Sequence, residues 1–149
     1  MTTVFCMNRG ERMCNSGGEK SCGCIILKGD RILLIGAKDN EGELFWSFPK
    51  GHQEDSETDA KTAIRETKEE TGLDVKIIDD EPIKTGHNIH GGTAYKETLL
   101  YVAKPLSDEI KIQESEVEKV RWVKINEAGK YLNGYYSDAW EERLSRLDN

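Results

Sequence analysis

The sequence predicts an α+β domain, and three observations carry that expectation: two apolar runs joined by a Gly-Asp pair, one helical segment dense in acids that ends on glycine, and several later segments rich in strand formers. SCGCIILK and RILLIGA, separated by Gly29 and Asp30, read as a β-hairpin, since turn formers interrupt two apolar runs. Cys22 and Cys24 are two apart beside IIL, which places both on one face of the first strand as small buried residues. Asp39 to Glu43 reads as a polar loop. WSFP is a short extended piece because Pro49 biases Phe48 away from helix.

A helix follows the GHQED loop. Ser56 is the candidate N-cap, Glu57 and Asp59 lie where the helix dipole favours negative charge, and Gly72 is the stop. Ala60, Ala63, Ile64 and Thr67 recur at helical spacing and predict a narrow core-facing stripe, with Glu66, Glu69 and Glu70 on the adjacent face. Strands are expected at Asp74 to Ile78, Glu97 to Ala103 and Lys119 to Ile125, with Gly86 to Gly92 in a loop. Residues 126 to 131 and Ser137 to Leu147 read as helices, the last with Trp140, Leu144 and Leu147 in helical phase. Residues 1–19 lack periodicity and read as a loose lead-in, so a single domain is expected over residues 20–149.

Composition narrows the function. The 149 residues carry a net charge of −7, which argues against a broad electrostatic grip on nucleic acid and suggests that cations mediate any contact with a polyanion. No apolar run approaches the roughly 20 residues that span a bilayer, and the N-terminus shows no secretory signal, so a cytoplasmic location without membrane contact is expected. The spacing of Cys6, Cys14, Cys22 and Cys24 does not fit paired CxxC zinc ligation, and reduced thiols are expected. Oligomeric state is left open.

The helical acids pose an energetic question. Like charges three and four apart repel by about 0.2 to 0.5 kcal/mol per pair, so something should offset the crowding of Glu66, Glu69 and Glu70. A solvated surface face is the bland explanation for such a pair. A bound Mg²⁺ or Mn²⁺ is the sharper one, because carboxylates are hard oxygen ligands and Mg²⁺ shares its coordination readily with phosphates. Gly51, just upstream, permits a close approach of ligand or metal to the chain.

Gly51, five residues, Glu57, seven residues, and then Arg65-Glu66-Thr67-Lys68-Glu69-Glu70-Thr71-Gly72-Leu73 resembles the Nudix box, matching every fixed position over 23 residues. The one departure is Thr67, where the pattern has a bulky aliphatic residue. The resemblance implies a Nudix-type α/β/α sandwich with a mixed β-sheet and a catalytic loop-helix-loop, and hydrolysis of a diphosphate linkage in a nucleotide. It further implies that Glu66, Glu69 and Glu70 hold Mg²⁺ or Mn²⁺, that a backbone carbonyl at Lys50 or Gly51 joins them, and that Glu57 supports Arg65 in orienting the helix glutamates. A further glutamate before a late strand serves many members as ligand or base; Glu116 is the candidate, with Glu114 and Glu118 as rivals.

WSFPKGHQE, SCGCIIL and YKETLLYVAKP look most like the subgroup that cleaves dinucleoside polyphosphates such as diadenosine tetraphosphate asymmetrically. Lys50 and Lys96 would then contact phosphates, and Trp46, Tyr95 or Tyr101 could stack on a base. His87 and His90 flank a Gly-rich loop and read as ordinary loop residues. The alternatives share the chemistry and differ in the pocket: MutT-like cleaning of oxidised nucleoside triphosphates of the 8-oxo-dGTP type, hydrolysis of diphosphoinositol polyphosphates, and removal of diphosphate from RNA 5′ ends. A non-catalytic nucleotide-binding module is the reading from another class, and it predicts a lost glutamate that this box does not show.

Overall fold

The computed structural model describes residues 19–89, 92, 94–113, 117–132 and 134–147. The expected lead-in over residues 1–19 therefore lies outside the described residues except for Glu19, which opens the first strand. Eight strands and two α-helices follow: β1 Glu19–Lys28, β2 Arg31–Lys38, β3 Leu44–Ser47, β4 Lys50–His52, α1 Asp59–Thr71, β5 Val75–Ile77, β6 Ile83–Ile89, β7 Ala94–Pro105, β8 Lys119–Lys124 and α2 Gly134–Leu147, with a 3-10 helix at Ile125–Lys130 between the last two.

β1 organises the sheet. Its C-terminal end turns through Gly29 and Asp30 into β2, as the hairpin signal predicts, while Glu19 to Ile26 run parallel to Lys96 to Ala103 of β7. β2 pairs with β3 and β8, and β7 pairs with β5 and β6, so one parallel contact sits among antiparallel ones. Alternation along β1 and β7 then feeds two cores. Cys22, Cys24, Ile26, Leu99, Tyr101 and Ala103 meet Ala63 of α1 and Leu73 on one face. Ile25, Leu100, Val102 and Phe48 meet Tyr136, Ala139 and Trp140 of α2 on the other. A mixed sheet covered by a helix on each face is the α/β/α sandwich, and both faces bury apolar surface because neither is left to water.

α1 begins later than the sequence suggests. Thr58 is the N-cap, its hydroxyl accepting from the Lys61 N–H at 3.2 Å, and Ser56 instead holds a left-handed φ of 72° in the turn before it. Glu57 is thereby left outside the helix. At the other end Gly72 adopts φ 81° and donates its N–H to the Lys68 carbonyl, the expected stop. The buried face is also rotated: Ile64 is 38% exposed, whereas Thr62, Ala63, Thr67, Glu70 and Thr71 are buried. Thr62 and Thr71 are tolerated there because their hydroxyls find local acceptors, Glu57 at 2.8 Å and the Thr67 carbonyl at 2.7 Å.

Two segments expected as loop are strand. Lys50–His52 pairs with Ser21 to Gly23 as β4, and Gly86 to Ile89 belong to β6. The helix expected at residues 126 to 131 is the 3-10 helix Ile125–Lys130, and α2 starts three residues before Ser137 with Trp140 in the core and Leu144 against it; the side chain of Leu147 lies outside the described residues. Cys22 and Cys24 are both fully buried, and burial pushes their thiols up to about 12 and about 11, consistent with inert core residues. Cys6 and Cys14 lie outside the described residues. No helix of the described residues is long and apolar enough to cross a membrane.

Among the described residues the buried Thr67 hydroxyl meets no nitrogen or oxygen partner, and its one polar neighbour is the Cys24 thiol. Thr67→Val, which keeps the shape and removes the hydroxyl, should raise unfolding stability by about 1 kcal/mol, read from the urea midpoint. A lowered midpoint would mean that the contact with Cys24 is worth more than the desolvation.

Candidate active site

The site forms where β4 crosses the start of β1 and meets α1. β4 can lie so close to β1 because residue 23 is glycine; a side-chain carbon there would collide with the Pro49 carbonyl and with Lys50. The Pro49 carbonyl instead accepts from the Cys24 N–H at 3.1 Å. Gly51 has the same role toward the helix, since a Cβ at that position would overlap the Glu66 carboxylate. The next backbone N–H, at Lys50, donates to Glu70 Oε1 at 3.2 Å. Two of the three helix glutamates are thus pressed against one three-residue strand.

Arg65 holds the remainder together. Its Nε and Nη2 grip the two carboxylate oxygens of Glu57 at 2.6 and 3.0 Å, Nη2 also donates to the His52 carbonyl at 3.0 Å, and Nη1 reaches Glu66 at 3.0 Å and Glu69 at 3.1 Å. The fork-to-fork contact gives a physical reason for pairing a glutamate ahead of the helix, Glu57, with an arginine more than one turn inside it. Hydrogen bonding from Arg65 outweighs burial and, aided by the Glu54 N–H and the Thr62 hydroxyl, holds Glu57 down to about 2 from an ordinary 4.5. Glu57 correspondingly pushes the Arg65 guanidinium up. The repulsion among the helix acids is therefore offset in part by an internal cation. Among the described residues no three of His, Cys, Asp and Glu converge as a metal cluster, because Glu66 and Glu69 turn to Arg65 and Glu70 turns to the Lys50 N–H.

A second group lies on the other face of β4. Lys50 Nζ stands 5.7 Å from the Tyr136 ring centroid, and Lys96 is pushed below its ordinary range by burial and then by the charge of Lys50. Glu19 opposes that shift, and its carboxylate also meets His52 Nε2 at 3.3 Å. Tyr95 is 52% exposed, with its ring over Gly86. The other aromatics expected to stack on a base are placed differently. Tyr101 is buried among Cys22, Cys24 and Leu99 beneath α1, with 7% of its surface exposed. Trp46 is half-buried, with Arg121 over its ring at 5.3 Å and Tyr131 edge-on at 5.7 Å, so a base would have to displace the guanidinium.

Glu116, its rival Glu114, and His90 lie outside the described residues, as does the side chain of His87. On either side of residues 114–116, the Gln113 N–H donates to the Glu70 carbonyl at 3.3 Å and the Glu118 N–H to the Gly36 carbonyl at 2.8 Å. Glu118 itself is exposed and sits 3.9 Å from Lys38. Sequence reasoning missed Glu19, His52 and Tyr136 as neighbours of the lysines. The signal available for them was a glycine inside a strand, at Gly23, which marks a close backbone approach.

Residues 19–141 match the NUDIX domain family, and the chain belongs to it. Three similarities place it further. The Mycobacterium tuberculosis protein designated MutT4 is 34% identical over 152 residues, covering 93% of this chain and 58% of the relative. The asymmetrical bis(5′-nucleosyl)-tetraphosphatase of Rattus norvegicus is 31% identical over 121 residues, covering 73% of this chain and 81% of the relative. A C. elegans Ap4A hydrolase structure superposes with a TM-score of 0.73 over 87% of this chain and 98% of its own, at 24% identity, which bears on the fold. The chain spans little more than half the length of its Mycobacterium relative.

Because Glu57 is depressed, its contribution to stability is complete above about 4.5 and is lost as pH falls toward 2. Glu57→Gln should flatten the acid limb of the stability curve in that window, a difference of about 1 to 3 kcal/mol after allowance for solvent. Chemical denaturation of both proteins at pH 7, 4.5 and 3 checks it, and parallel acid limbs would refute it.

Proposed function

We propose that the protein is a divalent-cation-dependent pyrophosphohydrolase that cleaves a diphosphate linkage in a nucleotide, with a dinucleoside polyphosphate such as diadenosine tetraphosphate as its substrate and ATP and AMP as products. The observation that carries the reading is the Arg65 clamp: one guanidinium fixes Glu57 through two of its nitrogens and touches Glu66 and Glu69 through the third alone. Glu66 and Glu69 can leave that shared nitrogen without releasing Glu57. Four carboxylates, of Glu54, Glu57, Glu66 and Glu69, around one guanidinium leave three excess negative charges, and Glu70 adds another, so the donor set fits Mg²⁺ or Mn²⁺.

In this reading Glu66, Glu69 and Glu70, with the Gly51 carbonyl and Glu116, hold the cations, and one of the glutamates serves as base. Bound there, a divalent cation would lower the pKa of a water and offset charge on the diphosphate. Arg65 and Glu57 orient the helix acids, and the Lys50 N–H holds Glu70 in place. Lys50 and Lys96 bind phosphate oxygens as point charges. Tyr95, the most exposed of the candidate aromatics, stacks on a base, and Trp46 does so only if Arg121 moves. The cytoplasm, with a nucleotide as sole partner and neither membrane nor nucleic acid involved, is the setting that fits.

Product analysis with Mg²⁺ on diadenosine tetraphosphate, 8-oxo-dGTP, ADP-ribose and a diphosphoinositol phosphate tests the proposal. ATP plus AMP from the first, abolished in Glu69→Gln/Glu70→Gln, is the expected result; turnover of another compound moves the substrate and keeps the chemistry. No turnover of any of them sinks the enzyme reading. Arg65→Lys keeps the charge and loses the fork, so kcat should fall about 10- to 100-fold with a smaller change in KM. An equal loss of Mn²⁺ affinity would place the defect in ligand orientation, and unaltered kcat would refute the orienting role.

A further inference from the structure

On the face of the sheet that packs against α2, the apolar rows end abruptly. Ile25 and Leu100 belong to the core, but the next inward-facing pair along the strands is Ser21 beside Thr98, 1% and 0% exposed. Among the described residues neither hydroxyl has a hydrogen-bond partner. Alanine and valine would fill the same space without stranding a donor, so two adjacent orphaned hydroxyls at one register call for a polar group that reaches them.

The surroundings define that group. Glu19 and Lys96 form the next pair along the strands, and β4 sets His52 opposite Ser21 and Lys50 opposite Gly23, all on the same face by alternation. Two lysines thus share one face with two hydroxyl donors, with Glu19, engaged by His52, as the acid on the same pair of strands. Lys50 and Lys96 repel one another, and an anion entering between them would offset that repulsion. Gly51, between Lys50 and His52, points the opposite way, toward Glu66. The hydroxyl pair and the helix acids therefore lie on opposite sides of β4.

We propose that Ser21 and Thr98 are specificity-determining residues whose hydroxyls donate to a phosphoryl group of the substrate beyond the linkage that is cleaved. The site favours long phosphate chains over a simple diphosphate. It rests on the hydrolase reading only for the identity of the substrate, since the anion chemistry follows from the lysines and hydroxyls alone.

The test is a calorimetric titration of the full chain with inorganic tripolyphosphate in the presence of a chelator, so that no metal contributes. Ser21→Ala/Thr98→Val should bind about tenfold more weakly than wild type, while the hydroxyl-retaining Ser21→Thr/Thr98→Ser stays within about twofold. With Mg²⁺, the alanine-valine variant should show a raised KM for diadenosine tetraphosphate at unchanged kcat. Equal tripolyphosphate affinity in the folded alanine-valine variant, or no binding by wild type, overturns the proposal. If no nucleotide is turned over and the tenfold loss in tripolyphosphate binding is still seen, the hydrolase reading fails and the anion site stands.

Discussion

The arrangement depends on the ion pair between Arg65 and Glu57. It joins a residue inside α1 to one that precedes the helix, and through Nη2 it also holds the carbonyl of His52 at the end of β4. Three pieces of chain that are separate in sequence are fixed relative to one guanidinium. The pair is only partly exposed, 23% for the Arg65 side chain and 18% for Glu57, so it is screened less than an ordinary surface bridge. Its geometry, with both carboxylate oxygens engaged, adds direction to the attraction.

That anchor works only because the backbone can come close elsewhere. Gly23 lets β4 lie on β1, and Gly51 lets Glu66 lie on β4. The far end of α1 is held in turn by the segment after β7: the Lys111 N–H donates to the Thr71 carbonyl at 2.7 Å and the Gln113 N–H to the Glu70 carbonyl. The last-turn carbonyls of a helix have no partners of their own, so these bonds settle two of them. Glu70 is consequently fixed twice, by its backbone at the end of the helix and by its carboxylate at Lys50.

What could be read from the sequence was what is local. The hairpin turn at Gly29 and Asp30, the Gly72 stop and the spacing from Gly51 to Leu73 depend on residues close in the chain, and the structure has each of them where the pattern puts it. The features that escaped depend on distant partners. β4 is too short to show a strand period and exists because Gly23 accepts it. Gly86 sits inside β6, where the Tyr95 ring covers its bare Cα, although glycine alone suggests a loop. Thr58 displaced Ser56 as cap because Glu57, drawn to Arg65, had to stay outside the helix. The stripe through Ile64 failed for a related reason: a hydropathy pattern ranks Ile above Thr, yet Thr62 and Thr71 are buried with their hydroxyls satisfied inside α1 and its cap. At the site, the acids and Arg65 were legible as types and spacing. Their partners were not, and neither was the burial of Tyr101, whose strand position gave no sign of which sheet face α1 would cover.

β4 shows how so short an element can join two chemistries. Strand geometry sends successive side chains to opposite faces, so Lys50 and His52 point toward Lys96 and Glu19 while Gly51 faces the helix acids. The Lys50 backbone, meanwhile, donates to Glu70. Lys50 therefore serves both sides of the strand, its ammonium group on one and its backbone N–H on the other. This follows from one N–H and one side chain belonging to the same residue, in a strand pinned by glycine contacts on both sides. Negative charge is concentrated on one side of β4, around Arg65, and positive charge on the other, around Lys50 and Lys96. A phosphate chain laid across the strand would meet ammonium groups at one end and, at the other, acids that it can approach only with a cation between them.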